Sequence, residues 1–106
     1  MKYLLKGGTV VGGSVSRCAD LLIDGEQIAA VGESLSCEDA QIVDVTGKLL
    51  FPGFIDAHTH FDLDVCNTTT ADDFASGTRS ALRGGTTMVI DFACPNKGET
   101  LDYGLR

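Results

Sequence analysis

Two histidines, His58 and His60, are the only imidazoles in this 106-residue chain, and they stand two residues apart. They close the run Phe54-Ile55-Asp56-Ala57-His58-Thr59-His60. In an extended strand, residues i and i+2 point to the same face. This spacing therefore puts two neutral imidazoles on one side, where both can reach a single cation. Imidazole nitrogen binds zinc at roughly 2.0–2.1 Å. Asp56 shares the parity of the pair. It reads equally well as a carboxylate that orients a ligand from behind and as a buried polar group hydrogen-bonded in the floor of the fold. His-x-His alone is a weak pattern. Its place at the end of an apolar strand is what argues for chemistry, because parallel α/β folds collect their functional groups at the C-terminal ends of strands.

The elements around the pair divide at Phe51-Pro52-Gly53, where proline and glycine punctuate the backbone. Residues 1–51 read as short β runs: Tyr3–Lys6 and Thr9–Val11 about Gly7-Gly8, Ala19–Ile23 and Gln27–Val31 about Asp24-Gly25-Glu26, Gln41–Val45 and Lys48–Phe51 about Thr46-Gly47. Asp-Gly between apolar runs is a hairpin signal. The partial alternation suits a sheet with one covered face. Beyond Gly53 the pattern is strand, loop, helix, strand. The loop runs from Phe61 to Thr69. Because it follows the histidine strand directly, it must rim whatever site the pair makes. Leu63, Val65 and Cys66 are its apolar candidates for contact with a substrate, and ordinary loop packing is their alternative role. The helix is expected to start at an N-cap Thr70 with Asp73 completing a capping box. Its stripe is Ala71, Phe74, Ala75, Thr78 and Leu82. Asp72 and Asp73 would lie at its start, Arg79 and Arg83 at its end, and Gly84-Gly85 would stop it. Thr86–Ala93, apolar or β-branched except for Asp91, suits a strand covered on both faces. A second helix is expected after Gly98. One strand–helix–strand unit cannot cover both faces of its own strands, so the chain reads as the opening of a larger α/β fold.

Composition narrows the class of function. Hydrophobic residues make up 43% of the chain and the mean hydropathy is +0.12, which suits a packed protein rather than a disordered one. Eight basic against fifteen acidic residues leave a net charge of −7, a balance unsuited to a phosphate backbone. No segment approaches the ~20 apolar residues of a membrane span, and no apolar stretch of a signal peptide follows Met1-Lys2. The expected location is cytoplasmic. Cys18, Cys37, Cys66 and Cys94 are scattered, with no Cys-x-x-Cys pair. They read as reduced, half-buried thiols rather than a disulfide frame or zinc knuckle.

The segment PGFIDAHTHFD at residues 52–62 resembles the first barrel strand of the amidohydrolase superfamily. TADDFASGTRSALRGGTTMVIDFACP at residues 70–95 resembles the helix and second strand that follow in dihydropyrimidinases and D-hydantoinases. GGTVV, ADLLIDGEQIAAVG and VDVTGKLLFPGFID are similar to the N-terminal stretch of the same family. The resemblance implies an α/β fold: residues 1–51 belong to a small β-sandwich domain, and residues 52–106 begin a metal-dependent (β/α)8 barrel. It further implies a site with two divalent metals per full-length subunit, commonly zinc. His58 and His60 would be the first-strand ligands of the more buried ion. A carboxylated lysine, two further histidines and an aspartate that also serves as acid/base would come from strands beyond residue 106. The implied reaction is ring opening of a dihydropyrimidine or hydantoin to an N-carbamoyl amino acid, in an enzyme that is often a homotetramer. Dihydroorotases place an arginine two residues after the second histidine to hold the substrate carboxylate. Asp62 stands there in this chain and would repel that group. An allantoinase-like or other cyclic amidohydrolase is the neighbouring reading. A non-catalytic assembly module of the same fold is the reading from another class, although such relatives generally lack the histidines.

Two histidines give an ion only two protein ligands, whereas a catalytic zinc site normally has three plus water. Residues 1–106 expressed alone are therefore expected to be inactive on dihydrouracil and hydantoin, and oligomeric or partly folded through their open strand edges. Size-exclusion chromatography and a turnover assay check this. A discrete monomer with metal-dependent turnover would refute it.

Overall fold

The computed structural model describes residues 1–105. The chain forms two compact units, one of Met1–Pro52 and one from Gly53 onward.

The first unit is a five-stranded sheet. Its strands are β1 (Lys2–Val11), β2 (Ser16–Asp24), β3 (Gln27–Gly32), β4 (Gln41–Asp44) and β5 (Leu49–Leu50). The order is β3-β2-β1-β4, with β5 also on β1. Neighbours β1–β2 and β2–β3 are antiparallel, while β4 and β5 lie parallel to β1 at Tyr3–Lys6 and at Thr9–Val10. The two runs expected on either side of Gly7-Gly8 are thus one strand. Gly7 does not end it but makes a bulge: Leu5 pairs with Leu21 and Gly8 with Ala19, so β1 carries one extra residue. Gly7 has φ 83°, and a Cβ there would stand 2.6 Å from Thr46 Oγ1. Only glycine meets both conditions without strain.

The bulge takes the Gly7 N–H off the ladder, so it needs another acceptor. Asp20 supplies the acceptor. Its Oδ1 receives the Gly7 N–H at 2.9 Å, and its Oδ2 receives the Leu35 N–H at 3.0 Å. Lys6 Nζ lies 3.0 Å from the same Oδ2 and also donates to the Leu35 carbonyl at 2.8 Å. Asp20 is 7% exposed, the one buried charge among the described residues, beside the buried Leu4, Ala19 and Val45. Ile28 and Ile42 are exposed, although Ile42 pairs directly with the buried Leu4. A second carboxylate, Asp44, accepts from Thr46 N at 2.9 Å and Thr46 Oγ1 at 2.6 Å, closing the turn before β5. The exposed Lys2–Asp39 pair at 3.0 Å adds little stability. The cysteines are all free, but Cys18, Cys66 and Cys94 are exposed and only Cys37 is half-buried.

The second unit is the expected strand, loop, helix, strand. Strand β6 (Phe54–Thr59) pairs in parallel with β9 (Thr86–Asp91), with Ile55 opposite Met88 and Asp56 opposite Val89. Parallel neighbours need a crossover, supplied here by helix α1 (Phe74–Arg83), and a short helix α2 (Leu101–Gly104) follows. The loop holds an unforeseen hairpin of β7 (Asp64–Val65) and β8 (Thr68–Thr69). Its two turn residues, Cys66 and Asn67, have φ 50° and 61°, the signature of a type I′ turn. Without glycine at either place, the sequence carries no hairpin signal.

The N-cap is Asp73, not Thr70. Asp73 accepts the Ser76 N–H at 2.7 Å, and that bond holds its carboxyl below the usual carboxylate range. Thr70 instead closes the base of the hairpin, where its Oγ1 accepts from Leu63 N at 2.9 Å and its own N–H donates to the Leu63 carbonyl at 2.9 Å. Asp72 and Ala71 consequently precede the helix, and only Arg83 lies in its last turn. Gly85, at φ 91°, ends it as expected. The stripe is shifted too: Phe74 and Leu82 are exposed, and the buried residue of α1 is Gly77. Strand β9 stops at Asp91 rather than Ala93 and is not covered on both faces, since Met88 and Ile90 are more than half exposed. Among the described residues β9 pairs with β6 alone.

The Gly7 N–H bond and the Lys6 ammonium hold the Asp20 carboxyl below its ordinary value of about 3.9. A carboxyl lowered on folding contributes stability above its unfolded pKa, and this is lost as pH falls through the folded value. Asp20→Asn should lower the melting temperature near neutral pH, and the gap to the parent should narrow from about pH 4 downward. Thermal melts between pH 2 and 7 check this, and a gap independent of pH would contradict it.

Candidate functional site

His58 lies inside β6 and His60 one residue beyond its end. The strand does what the spacing implied: the two Nε2 atoms lie 3.1 Å apart and the ring centroids 5.0 Å, the planes inclined by 74°. At that separation one Nε2–H can donate to the other nitrogen. Two imidazoles on one tetrahedral ion, each at 2.0–2.1 Å, would have their nitrogens roughly 3.4 Å apart. The donor set therefore fits a shared ion with a small opening of the pair. Both rings are exposed.

Asp56 is exposed, not buried as one of its two readings required. Its Oδ1 accepts the backbone N–H of His58 at 3.1 Å, so the carboxylate touches the backbone of β6 rather than an imidazole. The loop residues do not gather. Leu63 lines a cleft of about 490 Å³ with Phe61, Phe74, Asp91 and Phe92. Val65 and Cys66 line a separate one of about 370 Å³ around the hairpin. Among the described residues no group of three or more His, Cys, Asp or Glu side chains is placed to hold an ion.

The neighbours of the pair come from the end of β9. The Phe92 ring packs on both imidazoles, with centroids 4.9 Å from His58 and 5.3 Å from His60. Asp91 Oδ1 accepts from Thr59 Oγ1 at 2.9 Å and from Phe61 N at 3.1 Å. Sequence reasoning missed both. The available signal was a lone carboxylate at the end of an otherwise apolar strand. Phe61 in turn leans on α1, where a Cβ on Gly77 would come within 2.2 Å of its ring. The absent side chain admits the phenyl group, which meets Phe74 edge-on at 5.5 Å between centroids.

Residues 49–100 match the Amidohydrolase family. The chain is 48% identical over 101 residues to a D-hydantoinase from Geobacillus stearothermophilus, covering 95% of this chain and 21% of that protein. A crystal structure of a dihydropyrimidinase from Brevibacillus agri superposes with a TM-score of 0.92 at 46% identity, over 99% of this chain and 23% of that one. Along nearly its whole length the chain is similar to D-hydantoinases and dihydropyrimidinases. A dihydropyrimidinase from Rattus norvegicus is 42% identical over 105 residues, 94% of this chain and 20% of its own length. The chain thus spans about a fifth of the length of these relatives, at their N-terminal end. Its β-rich first unit and its parallel strand pair both fall within the superposed region. No helix among the described residues is long and apolar enough to cross a membrane.

Gly77→Ala should force Phe61 aside and cost about 1–3 kcal/mol, the usual range for overpacking. In a Phe61→Ala background the same change should cost much less, because the two residues share one space. A double-mutant cycle by denaturant unfolding checks the coupling, and equal losses in both backgrounds would show that the ring is not the obstacle.

Proposed function

We propose that the full-length protein hydrolyses a cyclic amide, opening a dihydropyrimidine or hydantoin ring to an N-carbamoyl amino acid. The observation that carries this reading is the convergence of the His58 and His60 Nε2 atoms, 3.1 Å apart where a parallel strand ends. It stands in a chain similar to a D-hydantoinase and a dihydropyrimidinase along nearly its whole length. On this reading residues 1–51 contribute to a β-sandwich, and residues 52–106 open a (β/α)8 barrel whose strand ends face the site. The protein would be a cytoplasmic homo-oligomer holding two zinc ions per subunit.

His58 and His60 would hold one of these ions through Nε2. A bound divalent ion lowers the pKa of water toward ~7 and polarises the amide carbonyl. The chain's own residues do the rest of what falls within this segment. Asp56 fixes the backbone N–H of His58, which sets where that ring leaves the strand. Phe92 covers one side of both imidazoles and keeps water from that side. Leu63 presents an apolar wall to the cleft beside Asp91 and Phe92, while Val65 and Cys66 stand on the hairpin that rims it.

Two measurements test the proposal on the full-length protein. His58→Ala with His60→Ala should lower the bound metal by about one ion per subunit and reduce kcat/KM by three orders of magnitude or more, about 4 kcal/mol in the barrier. Unchanged metal content and turnover would sink the ligand assignment. Leu63→Phe with Val65→Phe should change the ratio of kcat/KM between unsubstituted and bulky 5-substituted hydantoins by at least about tenfold, since pocket contacts are worth ~1–3 kcal/mol. A constant ratio would remove the loop from substrate selection.

A further inference from the structure

We infer that Asp91 is a positioning residue for the histidine pair, holding the residues on both sides of His60, the Thr59 hydroxyl and the Phe61 N–H, through one carboxylate oxygen. The inference rests on the reading of His58 and His60 as metal ligands. Thr59 and Phe61 flank His60, and both donate to Asp91 Oδ1, at 2.9 and 3.1 Å. Thr59 is held again by the same strand end. Its carbonyl accepts the Phe92 N–H at 3.3 Å and its hydroxyl lies 3.3 Å from the Ile90 carbonyl. Phe92, the next residue, packs its ring on both imidazoles at 4.9 and 5.3 Å.

These contacts matter because of where β6 ends. Its last strand residue is Thr59, so His60 starts a segment that no ladder holds. A backbone without ladder bonds would let the second imidazole swing independently of the first. Clamping residues 59 and 61 to the neighbouring strand removes that freedom on both sides of the ring-bearing residue. Asp91 and Thr59 are half-buried, so the bonds are partly sheltered from water. The clamp needs an oxygen acceptor at Oδ1 and does not need a negative charge. This distinguishes positioning from a contribution to the field at the ion.

The test uses full-length protein and zinc alone as probe, with affinity read by competition against a chromophoric chelator. Asp91→Leu should weaken zinc binding about 10–100-fold, the range for partners that orient metal ligands. Asp91→Asn keeps the acceptor and should stay within about threefold of the parent on that same scale. A merely structural role would lower the melting temperature of both variants while leaving zinc affinity alone. Wild-type affinity in Asp91→Leu overturns the inference, as does an Asp91→Asn variant as weak as Asp91→Leu. If Asp91→Leu does not fold, Thr59→Val carries the test. It keeps the β-branched shape, loses only the hydroxyl donor, and should weaken zinc by at least about threefold, with unchanged affinity again overturning the clamp. His58→Ala in parallel separates the two levels. Weaker zinc there with none in Asp91→Leu defeats the clamp alone. Unchanged zinc in His58→Ala defeats the ligand reading and the clamp together.

Discussion

Where the backbone of this chain leaves a regular ladder, its freed N–H must find an acceptor, and five aspartates serve in that role. Asp20 takes the Gly7 and Leu35 N–H groups at the β1 bulge. Asp44 takes Thr46 N in the turn before β5, and Asp73 takes Ser76 N at the start of α1. Asp56 and Asp91 take His58 N and Phe61 N around the histidine pair. Carboxylate–amide bonds are among the stronger ones a surface allows. Much of the acidity of the chain, fifteen acidic against eight basic residues, is therefore local structure and not merely solubility.

Those bonds mark where the sequence stopped being legible. Strands, the hairpin at Asp24-Gly25, the boundary at Pro52-Gly53 and the parallel pair with its helix all follow from apolar patterning and turn chemistry. The facing of His58 and His60 follows from the period of a strand. What escaped lay in hydrogen bonds between residues far apart or oddly spaced. The bulge at Gly7 read as a break, because a glycine pair looks alike in both cases. Thr70 and Asp73 are both good caps, and the choice between them turned on the Leu63 backbone, which no local rule includes. Asp91 looked like an exception in an apolar run. Its meaning needed the register that sets it beside Thr59.

Burial was the least readable property. Val89 is half-buried while Met88 and Ile90 lie open, although all three are equally apolar. Patterning reports which faces a sheet can cover, not how many of them neighbours reach. By contrast, Gly77 is the buried residue of α1, and Phe61 occupies the space a side chain there would take.

The His58–His60 pair and the Asp91 carboxylate that brackets it are separated by about thirty residues of crossover. The local part of the arrangement, two imidazoles on one strand, is available to any extended chain. The non-local part exists only after the crossover has closed, and loop closure of that length carries an entropic cost that grows with the logarithm of the loop. An ion captured early by the histidines would meet ligands still free to splay, whereas one arriving after β6 and β9 have paired would meet them held. If the pair holds an ion as proposed, its affinity would report folding progress, low in the open chain and high once the distant strand is home, and by mass action the ion would return the difference as stability of the closed form.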